Sequence, residues 1–136
     1  MFRTVLKDSF YTILSLIPAE NKNATMGFDT QVYTAMIKLN GQHPVYMGHF
    51  PGNPVVPGVC QIQMIMEIFS EVIHKEVSLV NSDNIKFLNI IVPEKYPVLE
   101  IKISIKKKGT EGWDVAGTIS KDDLLFLKFK GIFLEK

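Results

Sequence analysis

The chain reads as an α+β domain in which one long buried helix is followed by a meander of antiparallel strands. Two stretches carry that reading. Residues 59–74, VCQIQMIMEIFSEVIH, are apolar around most of a helical circumference, and such a helix is buried rather than laid on a surface. Residues 99–105 alternate strictly, with Leu99, Ile101, Ile103 and Ile105 against Glu100, Lys102 and Ser104, which is the period of a half-buried strand.

Each element follows from its local pattern. The amino-terminal residues 1–27 are expected to dock on the domain as a helix or strand, because the apolar run Phe10 to Ile17 is too short to cross a bilayer. Asp8 interrupts the position where a secretory signal needs apolar residues. Asp29 to Leu39 alternate as a strand, and Asn40–Gly41 turns into a short extended piece, His43 to Met47. The central helix is expected over about 58–76, with Val59, Ile62, Met66, Phe69 and Ile73 as one apolar stripe. Cys60, Met64, Ile65, Ile68 and Val72 widen that stripe. Its polar residues Gln63, Glu67, Ser70, Glu71 and His74 form a narrow strip, and Gln63 and Glu67 lie on one line at i and i+4. Ile85, Phe87, Asn89 and Ile91 share one face of the next strand. Trp113 to Ser120 is a further strand, and Leu124 to Leu134 is apolar enough to be covered on both faces.

Composition narrows the function. At 136 residues, one domain spanning 1–136 is expected to build an adequate core. A net charge of +1 gives no broad basic surface, so neither nucleic acid nor membrane is expected as a partner. The single cysteine, Cys60, rules out an internal disulfide and fits a reducing, cytoplasmic setting. The three histidines show no metal-binding spacing, so no metal is expected.

Residues 48–58, GHFPGNPVVPG, are dense in backbone punctuation around one histidine, His49, and run straight into the helix. Pro57 pre-sets a backbone angle suited to a helix start, and Gly58 allows close approach to the main chain. The amides of Gly58, Val59 and Cys60, in the first turn, lack intrahelical acceptors. Together with the helix dipole they suit an oxygen on which negative charge develops. His49 is then either a structural turn histidine or a base held beside an oxyanion site, and the stiff loop with its free amides favours the base. Cys60, at the same helix start, is expected as core or tunnel lining, since no catalytic dyad surrounds it. His43 and His74 are expected in capping or surface roles.

The run GHFPGNPVVPGV, followed by a buried helix, resembles the signature of the β-hydroxyacyl-acyl-carrier-protein dehydratases. The likeness extends to Asn84–Ile85–Lys86–Phe87 and to Val92–Pro93, and covers roughly residues 28–134. It implies a hot-dog fold, a curled antiparallel sheet wrapped around one long central helix. It also implies a homodimer with sheets joined edge to edge, and no cofactor of its own. The substrate, a 3-hydroxyacyl thioester, arrives on the phosphopantetheine arm of acyl carrier protein. By that resemblance His49 takes the C2 proton, the Gly58 amide holds the thioester carbonyl and the Val55 carbonyl orients the imidazole. Phe50, with Pro57, Val59 and Cys60 around the same loop, lines the acyl site.

One departure bears on activity. The family's acid stands fourteen residues after the histidine, and here that position is Gln63, which cannot deliver a proton to a leaving hydroxide. Glu67 stands one turn further on, where the family has a glutamine. Two readings stay open for it: a relayed acid acting through Gln63 or a water, with Gln63 holding the substrate hydroxyl, or a helix glutamate paired at a dimer seam. Two alternatives to a dehydratase follow. One is a non-catalytic subunit that binds acyl chains or pairs with an active paralogue. The other is a thioesterase. Lys86, Lys95, Lys102 and Lys106 to Lys108 are candidate contacts for an acidic carrier protein.

Overall fold

The computed structural model describes residues 5–19, 30–48, 52 and 54–136. Among the described residues, six strands form one antiparallel sheet in the order β1-β2-β4-β5-β6-β3, with β1 Tyr11–Pro18, β2 Thr30–Leu39, β3 Val77–Phe87, β4 Val98–Lys108, β5 Gly112–Lys121 and β6 Leu124–Glu135. A short helix α1, Val45–Gly48, precedes the loop, and the long helix α2, Gly58–Ile73, packs against the inner face of the sheet. This is the expected α+β hot-dog arrangement, the curled sheet holding one long helix.

The strict alternation of β4 is realised as written: Leu99, Ile101 and Ile103 are fully buried and Lys102 is exposed. β5 and β6 continue the inner face with Val115, Ile119, Leu127, Phe129 and Phe133. On α2 the buried apolar positions are Cys60, Met64, Ile65, Ile68 and Phe69. The stripe expected to lead is less covered, since Ile62 and Met66 are half-buried and Val59 is 75% exposed. The sheet covers one side of α2, and those residues sit on the flank that it does not reach. At its far end, Phe69 packs edge-on against Trp113 and tilted against Phe133, with centroids 5.5 and 5.2 Å apart. His74 ends the helix in the left-handed conformation, its N–H donated to the Ser70 carbonyl.

Three elements differ from the sequence pattern. Residues 43–47, expected to be extended, contain α1, because Pro44 suits a helix start and the His43 Nδ1 accepts the Val45 N–H at 3.1 Å as a cap. β3 begins at Val77, well before Ile85, and the stretch between escapes a period-two reading because the pairing with β6 slips twice, between Leu79 and Asn81 and between Asn81 and Asn84. β6 is covered on one face only, with Lys128 and Lys130 exposed on the other.

At Gly131 the inner face is tight. A Cβ there would stand 2.8 Å from the Phe129 ring, 2.9 Å from the Asn81 carbonyl oxygen and 2.9 Å from Leu79. Backbone cannot retreat as a side chain can, so Gly131→Ala is expected to cost about 1–3 kcal/mol of stability, read as a lowered denaturant midpoint at unchanged slope.

Candidate active site at the start of the long helix

His49 and Phe50 lie outside the described residues. The segment from Val55 into the helix is described. Val56, buried, donates its N–H to the Ile91 carbonyl at 2.9 Å, and its own carbonyl accepts from the Gln61 Nε2 at 3.2 Å. Ile91 is fully buried, and Leu88 donates to the Phe126 carbonyl at 2.8 Å. The segment leading into α2 is thereby stitched to the segment leaving β3, and through it to β6.

At the helix start Pro57 is the cap residue in an extended conformation, with no side-chain cap. Its carbonyl accepts the N–H groups of Cys60 at 3.0 Å and Gln61 at 3.1 Å. The expected trio of free amides is therefore a pair: Cys60 is engaged, whereas the N–H groups of Gly58 and Val59 find no acceptor among the described residues. The Val55 carbonyl is likewise unclaimed among the described residues. A Cβ at Gly58 would fall 2.7 Å from the Phe87 ring, so a larger residue there would have to displace that half-exposed ring. Cys60 is buried, and burial first, then the Glu67 carboxylate, push its thiol up, so it stays a protonated core thiol rather than a nucleophile.

Gln63 and Glu67 meet, as their spacing requires, with the Gln63 Nε2 donating to the Glu67 Oε2 at 2.8 Å. The remainder of the Glu67 environment has no counterpart in the sequence reading. Its carboxylate, 3% exposed, also accepts the backbone N–H groups of Val5 at 3.0 Å, Leu6 at 2.9 Å and Lys7 at 2.8 Å, and the Tyr11 hydroxyl at 3.1 Å. Five donors fill a carboxylate's roughly four lone-pair directions. This side chain anchors the amino-terminal segment, and Lys7 adds an ion pair to Glu71 at 3.3 Å. In this arrangement Glu67 has no oxygen left over to hold a proton for a relay. Gln63 is left with its Oε1 acceptor and one amide hydrogen beside a cleft of about 400 Å³ lined by Met66, Ser70 and Val77 among others.

The contacts that sequence reasoning missed are those made across long separations. Tyr11 and the amides of residues 5–7 reach Glu67 from about sixty positions away, and backbone amides leave no mark in a sequence. Gln61 carried a signal, a polar residue on the buried side of α2. Its Oε1 and the Tyr46 hydroxyl are both buried without a partner among the described residues. No group of three His, Cys, Asp or Glu that could hold a metal occurs among the described residues, and no helix there is long and apolar enough to cross a membrane.

Two variants test the anchor. Glu67→Ala would leave three backbone N–H groups and one hydroxyl unpaired, and is expected to cost at least about 3 kcal/mol while hydrogen exchange at Leu6 and Lys7 accelerates. Burial first, then the Glu67 carboxylate, push the Tyr11 hydroxyl well above the usual tyrosine range. A group raised on folding contributes stability that is intact below its unfolded value and is lost as pH rises through the folded one. The melting temperature is thus expected to fall above about pH 10, and Tyr11→Phe should lower it near neutrality but flatten that alkaline decline.

Comparison with known proteins agrees with this geometry. Residues 24–121 match the family model described as ApeI-like, ApeI dehydratase. The chain is 30% identical over 104 residues to the 3-hydroxyacyl-[acyl-carrier-protein] dehydratase FabZ of Geotalea uraniireducens, covering 68% of this chain and 70% of that protein. The FabZ of Coxiella burnetii is also 30% identical over 104 residues, covering 69% and 72%. Across such relatives the shared stretch spans from 54% to 72% of their own length. Among solved structures, the dehydratase heterocomplex ApeI:P from Xenorhabdus doucetiae superposes with a TM-score of 0.63 at 16% identity, covering 90% of this chain and 96% of that one, which is a likeness of fold. With the long helix and the wrapped sheet in place, the chain belongs to the ApeI-like family of hot-dog dehydratases.

Proposed function

We propose that this protein removes water from a 3-hydroxyacyl thioester carried on the phosphopantetheine of acyl carrier protein, giving the trans-2-enoyl thioester in the cytoplasm and needing no cofactor. The observation that carries this reading is the pair of unengaged N–H groups, Gly58 and Val59, at the start of a buried sixteen-residue helix. Hydrogen-bond donors of that kind stabilise the enolate oxygen that forms when the C2 proton leaves. His49 is the base, oriented by the Val55 carbonyl, and Phe50, Pro57, Val59 and Cys60 shape the acyl site.

The proton for the leaving hydroxyl is the harder matter. Gln63, held by Glu67, accepts the substrate hydroxyl's hydrogen bond and positions it, and Glu67 acts through that positioning. His49 then serves twice. It takes the proton as the C2–H bond breaks, and as imidazolium returns it to the hydroxide as the C3–O bond breaks, so that C2=C3 forms and water leaves. Without a dedicated acid, such a site works about 10²–10⁴-fold more slowly than one with a carboxyl at position 63.

A homodimer joined along the edge strand β3 fits this reading, since Val59, Phe87, Leu88 and Ile90 are large apolar residues left 47–75% exposed around that edge. The engagement of the Gln63 amide by Glu67 favours a second reading, a non-catalytic subunit completing the site of an active paralogue. The name of the ApeI:P heterocomplex shows that a dehydratase of this fold can be built from unlike chains.

Product analysis of the purified protein on 3-hydroxyacyl carrier-protein thioesters separates these readings. A 2-enoyl thioester is expected, and free acid would identify a thioesterase. His49→Ala is expected to abolish turnover. Gln63→Glu sets a carboxyl against Glu67, and two carboxyls that close share a proton, so turnover is expected to rise at least tenfold. No product from wild type or Gln63→Glu, with activity appearing only on adding a paralogue, would establish the non-catalytic subunit instead.

A further inference from the structure

The solvent face of the sheet carries lysines in an arrangement that its own acids do not answer. In one row across the strands, Thr34, Lys102, Thr118, Lys128 and Lys86 stand side by side, and Lys86 directly opposes Lys128. The next row is Val32, Ser104, Ala116, Lys130 and Asn84. Neither row contains a carboxylate, and Lys86, Lys102, Lys128 and Lys130 form no ion pair among the described residues. Like charges directly across a strand pair destabilise it. In a chain whose net charge is only +1, this is a local concentration and not a general basicity.

Between the lysines lies an open groove of about 410 Å³ with an uncharged floor of Val32, Ser104, Ala116 and Thr118. The row begins next to the candidate site: Lys86 precedes Phe87, whose ring lies over Gly58. We propose that this lysine-rimmed groove is the docking surface for the acidic protein that delivers the thioester. A helix presenting carboxylates on either side of small apolar residues complements it in charge and in relief. A second copy of this chain laid face to face would set lysine against lysine. Membranes take up protruding apolar anchors, which a recessed floor does not offer, and duplex nucleic acid calls for a more extended basic surface. This inference rests on the proposed reaction for the identity of its partner, and its test is separable from that reaction.

The experiment uses the full chain and the double variant Lys102→Glu/Lys128→Glu, both positions exposed and remote from His49 in sequence. Binding to a pantetheine-loaded acyl carrier protein is measured by calorimetry at low and high salt, beside turnover of the same acyl group on a small free thioester. The expected result is a loss of about tenfold or more in affinity at low salt, a smaller difference at high salt, and unchanged turnover of the free thioester. Equal carrier affinity in wild type and variant overturns the proposal. So does wild-type binding to phosphatidylglycerol vesicles or duplex DNA in preference to the carrier. If the wild type fails to turn over the free thioester, the proposed reaction falls, while the binding comparison still decides the docking surface.

Discussion

A carboxylate sunk in the middle of a helix must find its partners where it lies, and Glu67 finds them in a strand of the sheet, a neighbouring turn of its own helix and three consecutive amides of the amino-terminal segment. Leaving such a charge unpaired in the interior would cost several kcal/mol. The segment that supplies the amides is therefore as much a part of the core as the strands. It brings with it Phe10 and Tyr11, both fully buried, and Phe10 in turn packs on Tyr46 and His43 just ahead of the punctuated loop. One ionic interaction links the chain's beginning, its long helix and the approach to its candidate site.

The same interaction changes what the exchange of glutamine and glutamate means. Read as a pattern, the two residues have traded places along one helix line. On the family resemblance, a group that can move a proton would have become an amide that only donates and accepts hydrogen bonds, and the acid that remains, Glu67, is employed in holding main chain. In the proposed reaction the electrophilic half of the site would be unaffected, because it would be made of the backbone N–H groups of Gly58 and Val59. In that proposed reaction, one half would be retained and the other altered.

Much of the architecture was legible because it is written in local periodicity. The alternation of β4, the turn residues between β4, β5 and β6, and the apolar girth of α2 each follow from side chains that face one way at a fixed spacing. Pro57 at the start of α2 could be read for the same reason, since proline acts on its own backbone. What escaped depends on distant neighbours. The exposure of Val59 is set by how far the sheet curls, and the extra length of β3 is hidden by slipped pairing. Docking of the amino-terminal segment was expected, but its place against Glu67 was hidden, because its strongest contacts are made by amides, which every residue but proline possesses.

The slipped pairing in β3 has a further effect. A long, straight, greasy border strand is a template on which foreign strands can grow without limit, and Val80 and Ile85 supply the grease here. The two kinks around Asn81 break the border into short pieces that no flat ribbon can follow. Fibrous growth is denied, while a neighbour shaped to the same irregular outline can still be seated.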